Sequence, residues 1–435
     1  MVTESARSGA TAEHPLRAAV NAATADYVTR NPKSREVAAL AARSLPGGNT
    51  RSSLWHDPFP LCMIRGEGSR LTDADGHEYV DFLGEYSAGI YGHSPGVIKT
   101  AITRALESGI NLSAHNRLES QLAAAMCARF PSMELVRFTN SGTEANLMAL
   151  AAACAVTLRS TILVFDGAYH GSVLNFPAGS APLNVPHQFL VAPYNDLEAT
   201  GALIRAHASE LAAILVEPML GAGGCIPADR GFLEFVRARA TEVGAVLIFD
   251  EIQTSRLSVG GRQMLLDVRP DITTLGKYFG GGLAFGCFGG ARQIMERFDP
   301  RRPDALAHAG TFNNNSLTMA AGLAGITSLL TAEALHDLNS RGDRLRNGLQ
   351  QLFERSGAPF TVSGLGSLMN IHPAAPSEHV SDLRKLLFFD LAADGLYIAA
   401  RGLIALSLCI DDAEVTRFLS ASAAFLERRR ALFPG

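Results

Sequence analysis

The chain has 435 residues, 47% of them hydrophobic, and a formal net charge of −4. That length suits two or three domains, or one large α/β unit with a smaller satellite. The charge excludes the basic field needed to bind nucleic acid or an anionic membrane surface, and no apolar run approaches the roughly 20 residues of a bilayer span.

The opening segment, MVTESARSGATAEHPLR, lacks the basic-then-apolar pattern of a secretion signal. A soluble, cytoplasmic protein is the expectation. Residues 1–14 are polar and expected to fray. Residues 15–44 are alanine-rich with helical periodicity, broken near Asn31-Pro32. Arg65 to Phe82 reads as a hairpin, two β-type runs flanking the turn signal Asp73-Ala-Asp-Gly76.

From about 95 to 325, helical stretches such as Glu144–Thr157 and Phe232–Val243 alternate with short β-branched runs. The runs are Leu135–Thr139, Thr161–Phe165, Phe189–Ala192, Ala213–Glu217 and Ala245–Asp250. Such alternation predicts an α/β fold, a mostly parallel sheet with helices on both faces. Beyond about 326 come a long helical pattern over Leu335–Ser356 and short strands around Thr361–Ile371 and Leu403–Leu408. One helix lies between those strands and another ends the chain, an α+β satellite. Six cysteines, at 62, 127, 154, 225, 287 and 409, form no C-x-x-C pair, and no His/Cys cluster has zinc spacing. No metal is expected, and the cysteines read as reduced structural thiols.

Only four lysines are present: Lys33, Lys99, Lys277 and Lys385. Lys277 sits in an apolar, glycine-flanked run rather than a solvated charge cluster. Desolvation eases loss of its proton, and a neutral amine can form a Schiff base with a carbonyl. A strand-end lysine whose head snorkels to water is the plainer alternative.

Upstream, Ser141, Gly142 and Thr143 follow a strand and open a helix, which suits a phosphate, although an ordinary N-cap has the same look. Asp250 ends a buried strand, where α/β sheets bind ligands. A carboxylate there needs a partner: a metal, an arginine or a protonated pyridine nitrogen. A phosphate cradle, a strand-end aspartate and a strand-end lysine, in that order, are the set that pyridoxal phosphate requires. Tyr169 could lay a ring against the cofactor face, and the loop Thr311-Phe-Asn-Asn-Asn315 could add a phosphate ligand.

Over about 45 to 425 the chain resembles the class III, fold-type I pyridoxal-phosphate aminotransferases. The matching motifs are NSGTEAN (140–146), YHG (169–171), VEPMLGAGG (216–224), IFDEIQT (248–254), TTLGKYFGGG (273–282) and GTFNNN (310–315). The resemblance implies pyridoxal 5'-phosphate as cofactor, Lys277 as its Schiff-base lysine and Asp250 as partner of its ring nitrogen. It implies Ser141, Gly142 and Thr143 at the phosphate, Ile252 and Tyr169 on the two ring faces, and Glu217 ordering the site. Thr311 would reach the cofactor of a second subunit in an obligate homodimer. A large cofactor domain over 91–325 is expected, with a smaller one built from 1–90 and 326–435.

PGGNTRSS (46–53) is similar to the glutamate-1-semialdehyde aminomutase branch, which maps substrate-carboxylate binding onto Arg51. GLYIAARG (395–402) points instead to the β-phenylalanine aminotransferases and gives Arg401 a carboxylate. There the loop has Ser-Pro before Arg-Gly; here it has Ala399-Ala400. Two arginines on opposite sides could each bind a carboxylate bidentately. The expected activity is transfer of an amino group from a β-amino acid to 2-oxoglutarate, both small molecules. An aminomutase, a racemase or decarboxylase, and a non-catalytic scaffold are the alternatives.

Overall fold

The computed structural model describes residues 14–93 and 95–433; of the polar stretch 1–14, only His14 lies within them. A seven-stranded sheet forms the centre. In spatial order its strands are Leu135–Thr139, Gly286–Gly290, Ile272–Gly276, Val246–Asp250, Leu211–Val216, Thr161–Phe165 and Gln188–Ala192. Gly286–Gly290 runs antiparallel to both neighbours, and the other pairings are parallel. The five expected strands are all here. Gly286–Gly290 was not foreseen, because a glycine-rich run reads as loop.

Thr161–Phe165 and Val246–Asp250 are buried at every residue, as befits strands covered on both faces. Alternate side chains enter opposite cores. Ile162, Val164, Leu215 and Ile248 pack with the helix Gly142–Thr157. Leu163, Phe165, Ile214, Leu247 and Phe249 pack with Leu197–Ala206 and Arg230–Val243. The motifs read from the sequence leave the carboxyl ends of the parallel strands, so one edge of the sheet collects them.

The chain ends build the rest. The hairpin read over 65–82 is part of a three-stranded antiparallel meander of Met63–Glu67, Arg70–Asp73 and Glu78–Asp81. Leu396–Tyr397 joins it in parallel, alongside Glu78–Asp81. The helices Pro15–Arg30 and Ser377–Ala393 pack together, with Arg17 and Asp382 ion-paired at 3.0 Å. A second small sheet, Phe360–Leu365, Leu368–Pro373 and Leu403–Ala405, packs against the helix Ala332–Ser356. No single helix among the described residues is long and apolar enough to cross a membrane.

Candidate active site

Val246–Asp250 and Ile272–Gly276 are paired neighbours, with Asp250 opposite Thr274. Lys277, just past the second strand, therefore emerges beside Asp250. Its φ of +56° is uncommon outside glycine. Its Nζ donates to the backbone carbonyl of Tyr86 at 2.6 Å. Burial pushes the amine down to about 8; Asp250 opposes that fall, while Arg51, Arg401 and Arg256 add to it.

Asp250 is 4% exposed. Its Oδ2 accepts from Asn146 Nδ2 and His170 Nδ1, both at 2.8 Å, and its Oδ1 accepts the Ile252 amide at 3.0 Å. Among the described residues no arginine pairs with it, so that sequence alternative is not realised. Oδ1 keeps a lone pair for one more donor. Asn146 is itself fixed by Thr274 Oγ1, which donates to its Oδ1 at 2.6 Å. His170 Nε2 is buried without a partner. The sequence reading assigned roles to neither Asn146 nor His170, although both lie within motifs it had singled out.

Glu217 accepts the amides of Tyr169 at 2.9 Å and Gly221 at 3.0 Å, and burial raises its carboxyl above the usual range. It thereby fastens the segment that carries Tyr169 and His170. Tyr169 keeps 39% of its surface exposed.

The helix Gly142–Thr157 begins next to this cluster. Ser141 Oγ caps the Glu144 amide at 3.1 Å. The amides of Gly142 and Thr143 have no partner within the helix, and the positive end of its dipole lies there. Glycine permits the close approach: a Cβ on Gly286 would lie 2.1 Å from the Ser141 carbonyl oxygen. Ile252 covers the helix start, since a Cβ on Gly142 would lie 2.4 Å from its Cδ1. Thr143 packs on Gly171, whose added Cβ would meet Oγ1 at 2.1 Å. The loop 310–315 is tied alongside, with Asn140 Nδ2 donating to Asn313 Oδ1 at 2.8 Å. Thr311 itself is exposed and makes no hydrogen bond among the described residues.

Arg51 and Arg401 come from opposite ends of the chain and meet at Tyr86. Their guanidinium carbons lie 5.4 and 5.5 Å from its ring centroid. Arg51 is ion-paired with Glu85. Arg401 has no ion pair among the described residues, and its Nε is buried without a partner. The Ala399-Ala400 turn closes without proline: the Gly402 amide donates to Ala399 at 2.8 Å and the Ala399 amide to Leu403 at 3.1 Å. Sequence reasoning missed Tyr86. Gly84, Glu85, Tyr86 and Ser87 form a left-handed turn with φ of +52°, +50°, +53° and +73°, and only the glycine hinted at it.

Unpartnered amides at a helix start, a buried carboxylate with a free lone pair, and a lysine whose amine is readily neutral fit a phosphate, a ring nitrogen and an aldehyde. The comparisons with known proteins agree. A family model described as aminotransferase class-III matches residues 52–425, which takes in every residue of the cluster except Arg51. Over 429 residues the chain is 49% identical to the β-phenylalanine transaminase of Variovorax paradoxus, covering 96% of this chain and 99% of that protein. The crystal structure of a β-phenylalanine aminotransferase from that organism superposes with a TM-score of 0.94, at 49% identity and the same coverage. Glutamate-1-semialdehyde 2,1-aminomutase 2 of Brevibacillus brevis is 37% identical over 355 residues, 78% of this chain and 82% of that one. A solved transaminase with bound pyridoxal phosphate is 33% identical, with a TM-score of 0.88 over 93% of this chain and 99% of that one. By sequence and by fold, the chain belongs to the class III aminotransferases, enzymes that work with pyridoxal 5'-phosphate.

Proposed function

We propose that this aminotransferase moves the amino group of a β-amino acid to 2-oxoglutarate, giving a β-keto acid and glutamate. The observation that carries the reading is the pair of guanidinium groups, Arg51 and Arg401, on the ring of the tyrosine whose carbonyl holds Lys277. Two acids of different length must each present a reacting carbon to one amine. Two cations at different places meet that need. The likeness to a β-phenylalanine transaminase supports a β-amino acid as donor.

When bound, pyridoxal phosphate supplies an electron sink for the bond broken at the reacting carbon. The remaining work falls to the chain. Ser141, Gly142 and Thr143 would hold the phosphate. Asp250, oriented by Asn146, His170 and the Ile252 amide, would keep a proton on the ring nitrogen. Ile252 and Tyr169 would pack against the ring, and Glu217 keeps the Tyr169 segment in place. Lys277 Nζ would hold the aldehyde and carry the proton to and from the substrate's reacting carbon. Thr311, exposed on a loop anchored beside Asn140, reaches the phosphate of a second copy, so the working form is a homodimer.

A second reading, a glutamate-1-semialdehyde aminomutase, is favoured by the Brevibacillus brevis relative. A donor screen separates the two. Glutamate should form from 2-oxoglutarate only when a β-amino acid such as β-phenylalanine is present, one glutamate per donor consumed. Isomerisation of glutamate-1-semialdehyde without such transfer would decide for the aminomutase.

A further inference from the structure

The two cations at Tyr86 are not equivalent. Arg401 has no carboxylate partner among the described residues. Arg51 already has one, Glu85, and the two side chains are 44% and 55% exposed. Exposed pairs of this kind are weak and open to exchange.

The backbone makes this contact deliberate. Glu85 lies in the left-handed turn Gly84–Ser87, a conformation that costs non-glycine residues energy. The turn is pinned on several sides. A Cβ on Gly84 would lie 2.6 Å from the carbonyl oxygen of Ala405, on the strand after Arg401. Tyr86 donates its hydroxyl to the Ser53 carbonyl, two residues from Arg51. The Ser87 carbonyl accepts from the buried Arg256 at 3.5 Å. So held, one turn sends the Tyr86 carbonyl to Lys277, the Tyr86 ring to both guanidinium groups, and the Glu85 carboxylate to Arg51.

We propose that Glu85 is a specificity-determining residue: its carboxylate occupies Arg51 at rest and is exchanged for the carboxylate of the amino donor, while Arg401 stands open to the acceptor. This rests on the division of substrates between the two arginines proposed above. The exchange leaves the charge at Arg51 balanced before and after. A simple amine carries nothing that can displace Glu85, so it gains no binding at Arg51. The resident carboxylate therefore tempers affinity for acids alone, and so sets how strongly a carboxylate on the donor is rewarded.

The test compares half-reactions of the holoenzyme, followed through the cofactor's absorbance, in Glu85→Gln, Arg51→Ala and the double variant. Glutamine keeps the shape of the side chain and removes its charge. The apparent dissociation constant for β-phenylalanine should fall about two- to fivefold in Glu85→Gln. That for 2-oxoglutarate should move less, and the gain should vanish when Arg51 is alanine. No change in Glu85→Gln, or the same gain without Arg51, overturns the role of Glu85. A β-phenylalanine constant that Arg51→Ala leaves untouched overturns instead the reading of Arg51 on which this stands.

Discussion

Lys277 needs an amine that gives up its proton more readily than an ordinary lysine does. Burial supplies this, drawing its amine from 10.5 down to about 8. Because that value is lowered, the neutral form gains ground as pH rises through 8 and is lost below it. In cofactor-free protein, labelling of Lys277 by an amine-reactive ester should rise with a midpoint near pH 8, as read by peptide mass spectrometry; a midpoint near 10.5 would mean that the environment does not act. Lys277→Ala should abolish turnover while leaving a folded protein, and borohydride should fix the cofactor on this lysine in the wild type. A label on Lys33, Lys99 or Lys385 would contradict the assignment. Asp250→Asn should retain some cofactor but turn over far more slowly. Losing one charge-assisted contact costs about 1.5–3 kcal/mol in binding, and the cost is larger where negative charge develops during reaction. Near-normal turnover would remove Asp250 from the ring nitrogen. Lys277 and Asp250 stood out as candidates by type and setting, a lysine among glycines and an aspartate ending an apolar run, while their roles rested on the order of the motifs and on the family resemblance. Asn146 and His170 did not, because a hydrogen-bond partner follows from strand order, which local pattern does not contain.

At the scale of elements, the site depends on how closely two strand ends approach one helix start. Gly286 lacks the side chain that would hold it off, since a Cβ there would lie 2.1 Å from the Ser141 carbonyl oxygen; one on Gly276 would only reach ordinary contact, 3.4 Å from the Gly142 nitrogen. Gly286→Ala should therefore push the Ser141–Thr143 segment outward. Overpacking of this kind costs about 1–3 kcal/mol. The expected result is a lower thermal midpoint and faster loss of cofactor on dialysis. Unchanged retention would show that the cradle does not depend on this contact. The buried strands announced themselves by uniform apolar character, and the helix by its capping residue. The left-handed turn at Gly84–Ser87 did not. Three non-glycine residues at positive φ are imposed by packing from Ala405, Ser53 and Arg256, all distant in sequence.

At the scale of the whole molecule, the two ends of the chain are brought to one ring. Leu396–Tyr397 pairs with Glu78–Asp81, which sets the Arg401 loop and the Tyr86 turn side by side. Arg51 arrives from the segment ahead of the same meander. Neither convergence is written in local sequence, because both depend on a strand pairing between distant parts of the chain. The placement leads to a division of labour. One arginine cannot stand at two distances from Lys277 without moving, yet a β-amino acid and 2-oxoglutarate place their carboxylates at different distances from the reacting carbon. Arg401→Ala should weaken 2-oxoglutarate by about tenfold or more, the loss expected when charged hydrogen bonds are removed. Arg51→Ala should act mainly on the β-amino acid, by less, because the wild-type contact already competes with Glu85. Both losses should appear chiefly as raised KM, since a carboxylate far from the reacting carbon is bound alike in ground and transition states. Half-reaction titrations measure each substrate alone. Equal effects of both variants on both substrates would mean a single shared carboxylate site, and no effect of either would move carboxylate binding away from Tyr86 altogether.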